Sequence, residues 1–101
     1  YRLFAVRAGD DNAIVALAGL EVMTNLYHLR HVWVYDLVTT EAARSHGYGA
    51  ALMRYIEEFA RTQGCDGVAM SSGLQRADAH RFYSDVVKMN RTGYTFYKIL
   101  D

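Results

Sequence analysis

Residues 43–64, ARSHGYGAALMRYIEEFARTQG, decide how the rest of the chain is read. Apolar residues fall at 48, 51, 52, 55, 56, 59 and 60, the spacing of one face of a 3.6-residue period, and Gly64 supplies a stop. The spacing predicts an amphipathic helix beginning at Tyr48, with Glu57 and Arg61 paired four apart on its opposite face. Its mouth is the polar run Arg44-Ser45-His46-Gly47-Tyr48-Gly49. A helix start offers amide N–H groups without intrahelical partners and a partial positive charge, and glycines let an anion approach them. The run is therefore a candidate phosphate cradle made of main chain, to which Arg44 adds a charge-assisted contact. It lacks the Gly-Lys-Ser/Thr ending of a nucleotide loop and the third glycine of the dinucleotide fingerprint, and by itself it reads equally well as a turn serving only packing.

Working outward, residues 2–7 and 14–20 are apolar, strand-length runs separated by the turn chemistry of AGDDNA, so they predict a β-hairpin. Residues 22–31 show no clean period, and 31–39 are β-branched and aromatic, as in a strand. Downstream, 67–72 read as a short strand, Ala79, Phe82, Tyr83 and Val86 as one face of a second helical segment, and 92–100 as a last strand. The order predicts an α/β (α+β) fold with a mixed sheet, and 101 residues predict one domain spanning 1–101. Eleven basic and eleven acidic residues cancel, so no global charge favours nucleic acid or an acidic membrane surface, and any anion site is local. The single cysteine, Cys65, excludes an intrachain disulfide framework and fits a reducing compartment, and no run of about 20 apolar residues is present. A soluble, cytoplasmic protein is expected.

The run Arg44-x-x-Gly47-x-Gly49 after a strand ending Asp36-Leu37-Val38, followed by Ala79-His80-Arg81-Phe82-Tyr83 and by Arg91-Thr92-Gly93-Tyr94-Thr95-Phe96-Tyr97-Lys98, resembles the GNAT superfamily of N-acetyltransferases. The likeness covers residues 31–99, with these blocks in register. The segments HLRHVWVYDLV and RADAHRFY look most like the branch that includes aminoalkylphosphonate N-acetyltransferases.

The resemblance implies a mixed, mostly antiparallel sheet flanked by helices. It also implies an N-terminally short version of the fold, because the superfamily usually opens with a strand and two helices before the hairpin. It further implies acetyl transfer from acetyl-CoA, as co-substrate, to the primary amine of a small molecule by direct attack in a ternary complex. Mapped onto this chain, the main chain at Val38 and Thr39 holds the pantetheine, with an N–H near Val38 polarising the thioester. The amides of Ser45, His46, Gly47, Tyr48, Gly49 and Ala50 hold the diphosphate, with Arg44 beside it. Tyr83 matches the superfamily's general acid, though its helical position also suits a core aromatic. Asp36 stands where a glutamate base is common. Strand alternation places Asp36 with Val34 and Val38, so burial is expected to raise its pKa, and a structural partner is the competing reading.

Other residues carry less. His28 and His31 have no partners of metal-ligand spacing, and no metal is expected. Together with Arg30 they are candidates to line the acceptor pocket, Arg30 as partner of a substrate phosphonate or carboxylate. Cys65 lacks a paired histidine, which disfavours an acetyl-cysteine route. Tyr94, Phe96 and Tyr97 are better explained by core or homodimer packing than by base stacking. A protein or peptide N-acetyltransferase and a non-catalytic acetyl-CoA-binding regulatory module are the alternatives.

Overall fold

The computed structural model describes residues 1–26, 28–40, 46–71, 81–90, 92 and 96–100. They belong to two compact units, Tyr1–Met70 and Ser71–Asp101. The first contains β1 (Arg2–Ala8), β2 (Ala13–Asn25), β3 (Leu29–Thr39), the helix α1 (Tyr48–Thr62) and β4 (Gly67–Met70). The sheet order is β1-β2-β3-β4, antiparallel except for the parallel β3–β4 pair. The predicted hairpin forms as expected. Gly9 at φ +83° and the Asn12 N–H to Gly9 carbonyl bond (3.1 Å) close its turn. The stretch 22–31 resolves into the end of β2 and the start of β3.

Two register shifts interrupt the ladders, and the second determines the site. Gly19 lies opposite Asp36 while Leu20 lies opposite Val34, so Tyr35 is an extra residue on β3. Before the bulge, Val32 and Val34 share a face with Leu20; after it, Leu37 and Thr39 share that face with Ala18 and Ala16. Tyr35, Asp36 and Val38 all belong to the other side.

Helix α1 covers the first of these faces. Its Leu52, Met53, Ile56 and Ala60 are buried with Ala16, Ala18, Leu20, Val32 and Val34, each large side chain contributing about 1.5–3 kcal/mol of burial. Phe4, in register with Ala18, meets Tyr55 and Phe59 edge-on at 5.3 and 5.0 Å, and Arg2 lies over the Phe59 ring. The helix ends as its sequence predicts: Gly64 at φ +71° follows the cap, with Cys65 N–H donating to the Ala60 carbonyl and Gly64 N–H to that of Arg61. Arg61 pairs with Glu58 (2.6 Å), three residues back, rather than with Glu57, and both side chains are exposed.

In the second unit, the described part of the expected helical segment is helical at Arg81 and continues as a five-residue π-helix, Phe82–Val86, with Val86 exposed. Ala79 lies outside the described residues. The described part of the expected last strand, 92 and 96–100, has no ladder assignment, and Phe96, Tyr97, Ile99 and Leu100 are exposed. Alternating aromatics make a strand only where a neighbouring edge takes up the main-chain groups.

Candidate active site

The site is built where β3 outruns β4. The parallel ladder stops at Val34 opposite Met70, and β3 continues to Thr39 against β2, with no second partner among the described residues. The Asp66 N–H donates to the Arg30 carbonyl on the β4 side, and the Thr40 N–H donates to the Val15 carbonyl on the β2 side. Main-chain groups alternate between these two directions, with the bulge adding one step. Val38 therefore turns its N–H toward β2, and Leu37 and Thr39 face the edge that has no β4 partner among the described residues. Thr39 keeps its N–H on the open edge, Leu37, which sequence reading did not single out, shares that edge, and the N–H of Val38 faces β2. No signal within β3 itself marks this facing.

At the other end of the connection, α1 begins without a side-chain cap. Gly47 is the N-cap at φ +79°, and the Ala51 N–H to Gly47 carbonyl bond (3.0 Å) is the first of the helix. The amides of Tyr48, Gly49 and Ala50 have no intrahelical acceptor. The first turn holds no acidic residue to compete for them. Among the described residues a Cβ on Gly47 would meet nothing within 4 Å, so its left-handed backbone is what calls for glycine. The His46 ring stands 5.8 Å from that of Tyr48. Arg44 and Ser45 lie outside the described residues. The donor set fits the diphosphate of a coenzyme: three amides and a positive helix end.

Asp36 is exposed on the face away from α1. The alternation that paired it with buried Val34 is broken by Tyr35, so the expectation of a buried carboxylate is overturned; Val38 does share its side. The Tyr1 hydroxyl donates to Asp36 Oδ2 at 3.1 Å, and the Tyr1 and Tyr35 rings pack at 5.5 Å. The Tyr35 hydroxyl donates to Glu21 Oε2 at 2.8 Å. The Tyr1 phenol is held above its ordinary pKa by desolvation, then by the hydrogen bond and charge of Asp36. Tyr35 is raised chiefly by its bond to Glu21.

The expected acceptor cluster divides. The His28 and His31 rings stand 5.0 Å apart, but Arg30 projects to the α1 side, where its Nε donates to the Gln63 carbonyl at 2.8 Å. A cation at a helix C-terminus satisfies an otherwise unpaired carbonyl, which accounts for that choice. His31 is 1% exposed, with Nδ1 3.0 Å from the Leu29 carbonyl and Nε2 unpaired among the described residues, so it presents no nitrogen to a ligand. Tyr83 is the second residue of the π-helix, and its side chain lies outside the described set. Among the described residues no group of three or more His, Cys, Asp or Glu is placed to hold a metal, and no helix is long and apolar enough to cross a membrane.

Comparison with known proteins agrees with this architecture. The N-acetyltransferase YhdJ of Bacillus subtilis, itself uncharacterized, is 44% identical over 98 residues, covering 97% of this chain and 68% of its own length. The aminoalkylphosphonate N-acetyltransferase of Salmonella typhimurium is 33% identical over 84 residues, and the match takes in 82% of this chain and 52% of that enzyme. The chain thus spans about half of the Salmonella relative. An aminoglycoside N-acetyltransferase, AAC(6')-Iy, solved in complex with CoA, superposes with a TM-score of 0.83 over 94% of this chain and 73% of its own at 11% identity, a likeness of fold. The profile described as the acetyltransferase (GNAT) family matches residues 1–86. With the parallel β3–β4 pair, the helix mouth after β3 and this match in hand, the chain belongs to the GNAT family of acetyltransferases.

Proposed function

We propose that residues 1–101 act as one acetyltransferase domain that moves an acetyl group from acetyl-CoA to the primary amine of a small molecule, by direct attack in a ternary complex. The observation that carries this reading is the pairing, on one connection, of the uncapped α1 start at Gly47 with the β3 edge that has no strand partner among the described residues. Tyr48, Gly49 and Ala50 offer their amides to the diphosphate, with His46 and Gly47 beside them. Leu37 and Thr39 offer main-chain groups to the pantetheine arm. The coenzyme supplies the acetyl group as a thioester.

An aliphatic amine with a pKa near that of lysine, about 10.4, is mostly protonated at neutral pH and attacks only after losing a proton. Asp36 accepts that proton, through a water where the acceptor stands off, because aspartate is a methylene shorter than the glutamate common at this place. Tyr83 donates a proton to the departing thiolate. Main-chain donors on the β3 edge stabilise the oxyanion between those two transfers. The lone Cys65, half-buried, fits a reducing, cytoplasmic setting, and a homodimer is the expected assembly.

The test is release of free thiol from acetyl-CoA with a panel of aminoalkylphosphonates, polyamines, aminoglycosides and peptide amines. Asp36→Asn and Tyr83→Phe should each lower kcat by about 10²-fold or more while leaving coenzyme affinity unchanged. Coenzyme binding without thiol release from any acceptor would replace the enzyme with a sensing module, and turnover confined to peptides would make the acceptor a protein.

A further inference from the structure

The bulge at Tyr35 faces a glycine. A Cβ built on Gly19 would lie 2.6 Å from Tyr1 Cζ and closer still to its hydroxyl oxygen, so no other residue at this position leaves room for the phenol. Gly19 is buried and its φ is negative, so a side chain there would disturb the seat of the Tyr1 phenol and not the backbone. Through that gap Tyr1 reaches Asp36 Oδ2, and its ring rests on Tyr35, whose hydroxyl is tied to Glu21. One exposed carboxylate is thus held by Tyr1, just ahead of β1, which is backed in turn by Tyr35 of β3 and Glu21 of β2. An exposed aspartate otherwise rotates freely about two side-chain bonds and spends little time in any single orientation.

We propose that Tyr1 is a positioning residue for Asp36, admitted by Gly19, which commits Oδ2 to the phenol and turns Oδ1 toward the incoming ammonium group. The proposal rests on the reading of Asp36 as the base. The proton leaves the ammonium nitrogen for Oδ1, and the Tyr1 proton stays on its own oxygen throughout. The raised phenol of Tyr1 agrees with a donor engaged by a carboxylate.

The experiment compares Tyr1→Phe, Gly19→Ala and Asp36→Asn with the unaltered protein, using the best amine of the panel above. In parallel, tyrosine ionisation is followed by absorbance near 295 nm. Gly19→Ala keeps the phenol and the carboxylate and only separates them. We expect both Tyr1→Phe and Gly19→Ala to lower kcat about tenfold with KM for acetyl-CoA within about twofold. We also expect Asp36→Asn to move one phenol to ionise at lower pH. If Asp36→Asn abolishes turnover while Tyr1→Phe keeps kcat within about twofold, positioning by Tyr1 is wrong and the base stands. If Asp36→Asn is as active as the unaltered protein, the base reading falls and this one with it. Should Gly19→Ala fail to fold, Tyr1→Phe decides alone. Should no amine turn over, a tyrosine titration unmoved by Asp36→Asn overturns the contact, and a shift to lower pH upholds it.

Discussion

Replacing Ala50 by glutamate should make the protein more stable and a poorer binder of acetyl-CoA, a combination that a purely structural helix start cannot produce. Ala50 is the third residue of α1, half-buried, in a first turn that holds no acid. A carboxylate there meets the positive end of the helix and its unpaired amides, worth about 0.5 kcal/mol. For a domain of this size that raises the melting temperature by about 2–4 °C. The same charge stands about 6 Å from a diphosphate seated on those amides. Coulomb's law with an effective dielectric constant between about 20 and 80 gives roughly 0.7–3 kcal/mol of repulsion per phosphate charge. Two charges then weaken binding at least about tenfold. Calorimetric titration with acetyl-CoA at low salt, beside a thermal melt, reads both effects, and Ala50→Gln supplies the shape without the charge. The deficit should shrink as salt rises toward 0.5 M, because the screening length falls from about 10 Å at 0.1 M toward 3 Å at 1 M. A glutamate variant that melts higher and binds acetyl-CoA as tightly as the unaltered protein would refute the cradle.

Gly47→Ala should lower stability by about 1 kcal/mol through its left-handed backbone, since no described atom lies within 4 Å of its new methyl group, and Gly47→Asn should recover most of that loss; chemical denaturation of the three proteins checks the order. Tyr1 and Tyr35 should ionise later in an alkaline titration than exposed model phenols, because each donates to a carboxylate. A folded-state pKa above the unfolded value adds stability that is complete below about pH 10 and is lost as pH rises through the raised value. The fall in melting temperature above pH 10 should therefore be steeper in the unaltered protein than in Glu21→Gln, and parallel curves would contradict the Tyr35–Glu21 bond.

The parts of the fold legible in the sequence are those whose signals are local. The period from Tyr48 to Ala60, the stop at Gly64 and the turn chemistry of residues 8–13 each lie within a few residues of the structure they produce. The mouth of α1 was readable for the same reason. Arg30 was not, because its partner is the Gln63 carbonyl, 33 residues away, and a strand read by itself does not say which face meets a helix end. The described part of 92–100 differs in the opposite direction: alternation supplies a pattern, and pairing has to come from elsewhere.

Asp36 shows most plainly why the site is harder to read than the scaffold. In residues 31–38, HVWVYDLV, nothing announces that the two-residue rhythm slips after Val34, and taken at face value it buries the carboxylate beneath α1. The slip falls opposite Gly19, on another strand, where β3 fits two residues. A side chain at that position would also meet the phenol of Tyr1. One extra residue reverses the facing of everything beyond it: Asp36 moves from core to surface, the main-chain groups of Leu37 and Thr39 come to the open edge, and the N–H of Val38 turns to β2. On the proposed reading, the base and the thioester contacts are thus set together by a single irregularity, and moving the register back by one residue would remove both at once. A substitution that merely deletes Asp36 leaves the edge donors in place. One that straightens β3 must cost acetyl transfer and coenzyme affinity together, and that coupling follows from the bulge rather than from any one side chain.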